Sequence, residues 1–296
     1  MSVAIKRNWG NYVVEYILEV NNIVKKVDNF ELGTIDFKLE PGYIMGLIGP
    51  NGSGKTTLIQ TILGLYLNQE GNIKICGLDL MQEEQQAKDQ MGFVLGEEIF
   101  LNYLNGNDNA RLYGKYYSKW DPFVFQKLCK QFDVNLKKPL KKLSKGNITK
   151  FQLAFSLSHG AKLLVFDEPA AGLDPVFRKE LLEIMSDIIS EGDKSIIFST
   201  HLTDELDKIA DFVTFLYNGK QIFSLSKEEM AEHYRLIKGT EKQINNLRDV
   251  RIVGKKIHDT YSEALVVNDN FIENKELVIM RPTIEDIMYY TVNGMV

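Results

Sequence analysis

The run Gly49 to Thr56 constrains this chain more than any other feature, because it reads GPNGSGKT and directly follows the apolar run Tyr43 to Ile48. Its three glycines let the backbone curl so that successive N–H groups converge on a phosphate. The helix predicted from Thr56 to Leu65 adds the positive partial charge of its N-terminus. We therefore predict an α/β fold with a phosphate-binding loop, whose residues are Gly49, Pro50, Asn51, Gly52, Ser53, Gly54, Lys55, Thr56 and Thr57.

Two side chains of this loop carry its chemistry. Lys55 is placed to reach the β- and γ-phosphates of a nucleotide, and Thr56 to put its hydroxyl on Mg²⁺. The alternative interpretation is a glycine-rich turn with a surface lysine. The position between a buried strand and a helix favours the first interpretation, so we predict a nucleoside triphosphate site.

A pair of carboxylates ends the apolar run LLVFDEP at Leu163 to Pro169. The carboxyl ends of strands in open α/β sheets are where ligands bind. Asp167 would hold the hydration shell of Mg²⁺, and Glu168 would accept a proton from an attacking water. Without the phosphate loop, the alternative interpretation is that the two carboxylates only form a turn and cap a helix. A glutamate at position 168, and not glutamine or alanine, indicates that hydrolysis is retained.

Two further motifs also indicate contacts with a bound anion or ligand, although each is weaker evidence than the phosphate loop. In LSKGN, Ser144 and Gly146 come just before a predicted helix and offer a second cradle for an anion, although the pattern alone is only a capped helix start. His201 follows the apolar strand SIIFS at its carboxyl end. A lone histidine is more often structural, but this position favours a ligand contact.

Short apolar runs alternate with amphipathic ones along most of the chain, as in βαβ units around a mostly parallel sheet. We predict strands and helices in turn, an inserted helical subdomain at about 97–160, and a hairpin at Asn218-Gly219. The predicted units are an extension at 1–16, an ATPase domain at 17–225 and a small α+β lobe at 226–296. In the lobe, the runs VRIVG, ALVVN and ELVIM indicate strands, and a helix is expected from Thr283.

Composition excludes several classes of function. The 296 residues carry a net charge of −5 and no basic stretch denser than Lys137, Lys138, Lys141 and Lys142, so a nucleic-acid partner is not expected. No apolar run approaches the ~18 residues of a membrane span, and no signal peptide is apparent. The cytoplasm is the expected compartment. Cys76 and Cys129 are expected to be small buried side chains and not ligands of a metal.

The motifs together resemble those of ABC-transporter ATPase subunits. GPNGSGKTT, LSKGN, FDEP, AAGLD at Ala170 to Asp174 and STH at Ser199 to His201 occur in that family's order and spacing, over roughly Ile17 to Leu225. The resemblance implies a phosphate-loop ATPase fold with a mostly parallel core sheet, an antiparallel part, a helical insertion and a C-terminal α+β lobe. LSKG and the ending PTIEDIMYYT are similar to exporter ATPases that serve peptide or drug efflux and immunity.

What the family does implies roles for further residues. Two ATP molecules would be sandwiched in a head-to-tail dimer. The second subunit would be another copy of this chain or a paralogue. The dimer would be attached to the inner face of the membrane through a separately encoded permease. Asp174 would couple the two sites, and His201 would contact the γ-phosphate held by Lys55. The signature residues that face the partner's nucleotide would be Ser144, Lys145, Gly146 and Asn147.

Three positions depart from the family's pattern. Val27 stands where an aromatic residue usually stacks on adenine, so Phe30 or an aliphatic contact would replace it. Gly96 stands where a glutamine senses Mg²⁺ and the permease; either Glu97 serves as a carboxylate ligand instead or this segment is a plain loop. Lys145 replaces a glycine of the signature, and our hypothesis is that it adds positive charge near the opposing phosphate.

Other classes compete with an exporter motor. A soluble ABC-type ATPase acting on ribosomes or DNA generally has two nucleotide units or a long coiled coil, and neither is present. A nucleotide kinase has no use for the LSKG cradle. A nucleotide-dependent sensor that binds ATP without driving transport is the remaining alternative.

Overall fold

The structure is a computed structural model, and it describes residues 8–9, 12–13, 16–96, 99–247, 250–267 and 277–294. The prediction for Glu97 lies outside these ranges, as does most of the 1–16 extension. None of the helices in the described ranges is long and apolar enough to span a bilayer.

The described strands are β1 (Asn8–Trp9), β2 (Tyr12–Val13), β3 (Leu18–Val27), β4 (Phe30–Leu39), β5 (Ile44–Ile48), β6 (Glu70–Ile75), β7 (Leu78–Asp79), β8 (Met91–Val94), β9 (Leu163–Asp167), β10 (Ser195–Thr200), β11 (Phe212–Tyr217), β12 (Lys220–Ser226), β13 (Tyr234–Gly239), β14 (Arg251–Ile257), β15 (Ser262–Val267) and β16 (Val278–Met280). The described helices are α1 (Lys55–Ile62), α2 (Glu84–Asp89), α3 (Gly106–Gly114), α4 (Pro122–Gln131), α5 (Lys145–Leu157), α6 (Pro175–Ser190), α7 (Thr203–Ile209), α8 (Lys227–His233), α9 (Glu241–Asn245) and α10 (Ile284–Gly294).

A six-stranded sheet in the order β12-β11-β5-β10-β9-β8 forms the centre. Strands β11, β5, β10, β9 and β8 are parallel, and only β12 runs antiparallel, beside β11. The predicted Asn218-Gly219 hairpin joins these two, with φ angles of 47° and 76° at its two residues. The mostly parallel sheet predicted from the sequence is therefore confirmed.

A second, antiparallel sheet in the order β4-β3-β6-β7 packs on the other side of α1. Leu58, Ile59 and Ile62 of α1 are fully buried between the two sheets. The helix ends earlier than predicted, because Gly64 adopts a left-handed φ of 66° beyond its last turn. Held on both sides, α1 presents a rigid N-terminus to the phosphate loop.

The helical insertion is built on aromatic packing. Phe100 contacts the rings of Phe151 and Phe155 edge to face at centroid distances of 4.9 and 5.1 Å. The ring centroids of Trp120 and Phe155 lie 4.7 Å apart, and Asp121 caps α4. This cluster fixes α5, whose first turn carries the signature residues.

A four-stranded antiparallel sheet in the order β14-β15-β13-β16 makes up the C-terminal region. Strands were predicted at three of these positions, whereas β13 was missed. The helix α10 packs on this sheet and also against α7. Its buried side chains Ile284, Ile287 and Tyr290 belong to the same hydrophobic cluster as Leu206 of α7, so the apolar core is continuous from the central sheet into this region.

Both cysteines are free thiols. Cys129 is buried in α4, as predicted, while Cys76 is half-buried in a turn with a positive φ of 51°. Burial raises the pKa of each thiol to about 12, so both remain protonated at neutral pH.

Asn109 of α3 organises the segment that follows the core strand β8. Its side chain is fully buried, accepts the Leu101 N–H at 2.9 Å and donates to the carbonyls of Leu101, Leu104 and Asn105. The side chain thereby pairs the Leu101 N–H and adds a second hydrogen bond to carbonyls that also accept backbone N–H groups.

We expect Asn109→Ala to lower the free energy of unfolding by about 2–3 kcal/mol, since it leaves the Leu101 N–H without its partner, removes the other bonds of a fully buried side chain and opens a cavity. Denaturant titration measures this. Gln131→Ala, at an exposed site on α4, is the control and should change stability by less than about 0.5 kcal/mol. Equal effects of the two substitutions would contradict the role given to Asn109.

Candidate active site

The phosphate loop is shaped to receive an anion. Gly52 and Gly54 have φ angles of 77° and 105°, which only glycine adopts readily. A Cβ on Gly49 would collide with the Leu216 carbonyl and with Ser53 Oγ. No side chain caps the N-terminus of α1, and the Ser53 hydroxyl is buried with no hydrogen-bond partner among the described residues. These groups fit a triphosphate, which accepts hydrogen bonds from all of them.

Lys55 lies folded over this loop. Its Nζ donates to the Gly49 carbonyl at 2.8 Å and to the Pro50 carbonyl at 3.2 Å, and the residue is 5% exposed. Burial lowers the pKa of Lys55, and the nearby carboxylates Glu168 and Asp167 oppose that shift. The ammonium is thus within electrostatic reach of both acidic side chains.

Asp167 and Glu168 stand at the carboxyl end of β9 and are tied to β10 by one hydroxyl. Ser199 Oγ donates to Asp167 Oδ1 at 2.6 Å and accepts the Glu168 N–H at 2.8 Å. Glu168 has a positive φ of 47°, which costs a non-glycine residue roughly 1–2 kcal/mol. Strain of this kind persists where the surroundings over-determine a functional geometry.

His201 extends from the end of β10 toward the same point. Its Nδ1 lies 3.6 Å from Glu168 Oε2, and about half of its side chain is exposed. The structure thus brings the phosphate loop, the paired carboxylates and His201 together at one edge of the sheet.

One cavity of about 230 Å³ contains the residues predicted to hold a cation. Thr56, Asp167 and Glu168 line it, and so does Gly96. A hydroxyl and carboxylate oxygens are the donors that Mg²⁺ prefers, so the residues present fit this ion. A Cβ on Gly96 would meet nothing within 4 Å, so the missing glutamine leaves open space on this wall.

The signature residues begin helix α5. Ser144 caps it by accepting the Asn147 N–H at 3.3 Å, so the helix begins at Lys145, and Gly146, which was expected just before the helix, lies in its first turn. A Cβ on Gly146 would fall 2.9 Å from the Phe177 ring, which explains the need for glycine there. Lys145 lines the 230 Å³ cavity of its own subunit and packs beside Gly172. Within one chain, therefore, Lys145 shares a cavity with Thr56 and Asp167, the residues predicted to hold a cation.

Two further predicted residues occupy defined places. Asp174 caps α6 through hydrogen bonds from the Val176 and Phe177 N–H groups, both at 3.0 Å. Phe30, paired with Val27 across the β3–β4 turn, lies beside the loop, with its ring 2.9 Å from the position of a Cβ on Gly54.

Roles for Ser199 and Gln60 were not predicted from the sequence. Ser199 was quoted only as part of the STH motif, and its bridging role depends on the parallel register that places it opposite Asp167. Gln60 of α1 lines the cavity with Thr56 and Asp167. No local pattern marks it, because it lies one turn beyond the phosphate loop.

Comparisons with known proteins agree with this geometry. A family model described as ABC transporter matches residues 32–171. The lantibiotic transport ATP-binding protein SrtF of Streptococcus pyogenes is 31% identical over 214 residues, which are 72% of this chain and 91% of SrtF. This chain belongs to the ABC transporter ATP-binding family.

Two other proteins support the assignment. The bacitracin transport ATP-binding protein BcrA of Enterococcus faecalis is 26% identical over 84% of this chain and 80% of BcrA. A solved ATP-binding subunit of an ABC transporter superimposes with a TM-score of 0.66 at 25% identity, covering 72% of this chain and 91% of that one. This ABC ATPase is accordingly an ATP-binding and ATP-hydrolysing motor subunit, with the predicted fold class.

We expect Ser199→Ala to lower the rate of ATP hydrolysis by about 10- to 100-fold, because it loses the two hydrogen bonds that orient Asp167 and Glu168, the carboxylates predicted to act in hydrolysis. The KM for ATP should change little, since the phosphate loop is untouched. Steady-state ATPase kinetics measures both quantities.

Ser195→Ala is the matched control. Ser195 is buried at the opposite end of β10, where it accepts the Gly42 N–H and donates to the Glu40 carbonyl. The Ser195→Ala variant should have a lower free energy of unfolding but the native rate of ATP hydrolysis. If both variants lose catalysis equally, Ser199 acts only through the stability of the strand.

Proposed function

We propose that this ABC ATPase drives the export of a peptide, drug or lipophilic substrate through a separately encoded permease, at the inner face of the cell membrane. SrtF and BcrA, whose names state lantibiotic and bacitracin transport, support this substrate class. The proposed units are an ATPase domain at 17–225 with a helical subdomain at about 97–160, a C-terminal lobe at 226–296 and an extension at 1–16.

The observation that carries the proposal is the convergence of the phosphate loop, the Asp167-Glu168 pair and His201 at one sheet edge. In this site the N–H groups of the loop and Lys55 bind the phosphates. Thr56 and Asp167 hold Mg²⁺, which when bound neutralises phosphate charge. Phe30, beside the loop, supplies the contact with the base, together with Val27.

Hydrolysis follows from the placement of Glu168. Its carboxylate accepts a proton as water attacks the γ-phosphorus, and the bond to the bridging oxygen of ADP breaks. Ser199 fixes the backbone of Glu168 and the carboxylate of Asp167 during this step. His201, 3.6 Å from Glu168, is placed to hydrogen-bond the γ-phosphate and to respond when it leaves.

The second anion cradle calls for a second subunit. Ser144, Gly146 and Asn147 sit at the N-terminus of α5, which has 13 residues and so a developed dipole. In a head-to-tail dimer this end faces the γ-phosphate bound by the partner. Asp174, at the start of α6, then lies between the two sites. ATP closes the dimer and hydrolysis reopens it, because only the closed state uses both cradles.

The test is the substitution Glu168→Gln, in cells that express the chain with its membrane partner and are challenged with a lantibiotic or bacitracin. We expect loss of ATP turnover and of resistance while ATP binding and dimerisation are retained, because the phosphate loop and the signature are intact. Glu241→Gln, at an exposed position on α9, is the control. Resistance that persists without ATP turnover would contradict the motor function.

We also predict that Lys145→Ala lowers ATP-dependent dimerisation and ATPase activity, by roughly threefold to tenfold, because a positive charge near the phosphates is lost. Light scattering and turnover assays measure the two effects. Lys141→Ala removes an exposed lysine close to the signature and is the control. Unchanged dimerisation and turnover in the Lys145 variant would refute the hypothesis.

A further inference from the structure

A buried carboxylate lies just behind the catalytic edge. Glu205 of α7 is 3% exposed and comes four residues after His201. Removing a carboxylate from water costs several kcal/mol unless partners compensate. Its two oxygens have different partners, and each leads to a different part of the active site.

The first oxygen is tied to the backbone around His201. Thr200 Oγ1 donates to Glu205 Oε2 at 2.6 Å, and the same hydroxyl oxygen accepts the Leu202 N–H at 3.0 Å. Thr200 and Leu202 are the residues on either side of His201. Glu205 therefore holds the Thr200 hydroxyl, and that hydroxyl fixes the direction in which the chain leaves β10.

The second oxygen faces the helix that follows Asp174. Arg178 Nε of α6 lies 3.8 Å from Glu205 Oε1. The backbone N–H of Arg178 donates to the Asp174 carbonyl at 3.0 Å. This arginine is therefore one helical turn from Asp174, the proposed contact between subunits. Arg178 Nε and Glu205 Oε1 are both buried, and neither has a hydrogen-bond partner among the described residues.

The pair formed by Arg178 and Glu205, which are too far apart for a hydrogen bond, lies next to the proposed reaction centre. Arg178 and Glu205 line a cavity of about 80 Å³ together with Glu168 and His201. The pair is thus close to the catalytic groups without being one of them. A charge-assisted hydrogen bond needs about 2.8 Å, roughly 1 Å less than the present separation.

We propose that Glu205 is a positioning residue for ATP hydrolysis, which ties the orientation of His201 to the placement of α6 through Thr200 on one side and Arg178 on the other. The inference rests on the proposed roles of His201 and Asp174. When a partner subunit presses on the start of α6, the Arg178–Glu205 pair closes. The shift reaches His201 through the Thr200 hydroxyl, so hydrolysis begins only once both subunits are in place.

Three substitutions in the full chain test separately the contact of Glu205 with Thr200 and its contact with Arg178. Glu205→Gln keeps an oxygen that accepts the Thr200 hydroxyl but loses the charge facing Arg178. Thr200→Val removes the hydroxyl at nearly constant volume, and Arg178→Gln removes the opposing cation. We expect each to lower kcat for ATP hydrolysis about tenfold or more, with the KM for ATP within about twofold of the native chain.

The conservative and combined variants test positioning against mere stability. Thr200→Ser keeps the hydroxyl and should restore most of the rate lost in Thr200→Val. The double variant of Arg178→Gln and Glu205→Gln should be no slower than either single variant, since one link is broken in all three. Glu183→Gln, an exposed glutamate on the same helix α6, is the control for a lost surface charge.

The reference for the assay is His201→Ala. If this variant still hydrolyses ATP at the native rate, the role proposed for His201 fails. If His201→Ala is inactive while folded Glu205→Gln and Thr200→Val retain native kcat, the inference about Glu205 is overturned and the role of His201 stands. Fully additive losses in the double variant would also overturn the link between Arg178 and Glu205.

Discussion

The parallel pairing of β5, β10 and β9 is the constraint on which the rest of the structure depends. Its register sets Ser199 opposite both Leu47 and Asp167, so the three strands end together. The phosphate loop leaves the end of β5, the carboxylates leave the end of β9 and His201 leaves the end of β10. A slip of one residue between β10 and β9 would turn Ser199 to the other face relative to Asp167 and break its bonds to Asp167 and Glu168.

At this edge the protein keeps groups unsatisfied that would be paired elsewhere. The Ser53 hydroxyl is buried without a partner among the described residues, α1 has no side-chain cap, and Glu168 is held at a positive φ. A buried polar group without a partner costs of order 1–3 kcal/mol of stability. A bound triphosphate accepts hydrogen bonds from these donors, so ligand binding returns part of that cost. The surrounding sheet, fully buried on both faces of β5, β9 and β10, supplies the rigidity that tolerates it.

Local signals were enough to predict the core of this arrangement. The run GPNGSGKT, the acidic end of LLVFDEP and the turn Asn218-Gly219 each specify a backbone geometry within a few residues, and the structure has the loop, the strand end and the hairpin at these positions. What could not be predicted depends on contacts between distant segments. The bond between Ser199 and Asp167 spans 32 residues, and the pair formed by Arg178 and Glu205 spans 27. Strand β13 was missed because its mixed sequence, YRLIKG, has neither a strict alternation nor a turn signal before it.

The short helix α7 is stabilised by its contacts with neighbouring elements. Seven residues are too few for a helix that is stable alone, and no side chain caps its N-terminus. Leu206 packs onto β5 where Gly46 leaves room, Glu205 faces α6, and α10 covers the remaining side. His201 is positioned by this helix, so its geometry is set by the central sheet, by α6 and by the C-terminal region at once. We therefore expect a displacement of either flanking helix to move His201, which lies 3.6 Å from Glu168, since close-packed interiors transmit small shifts.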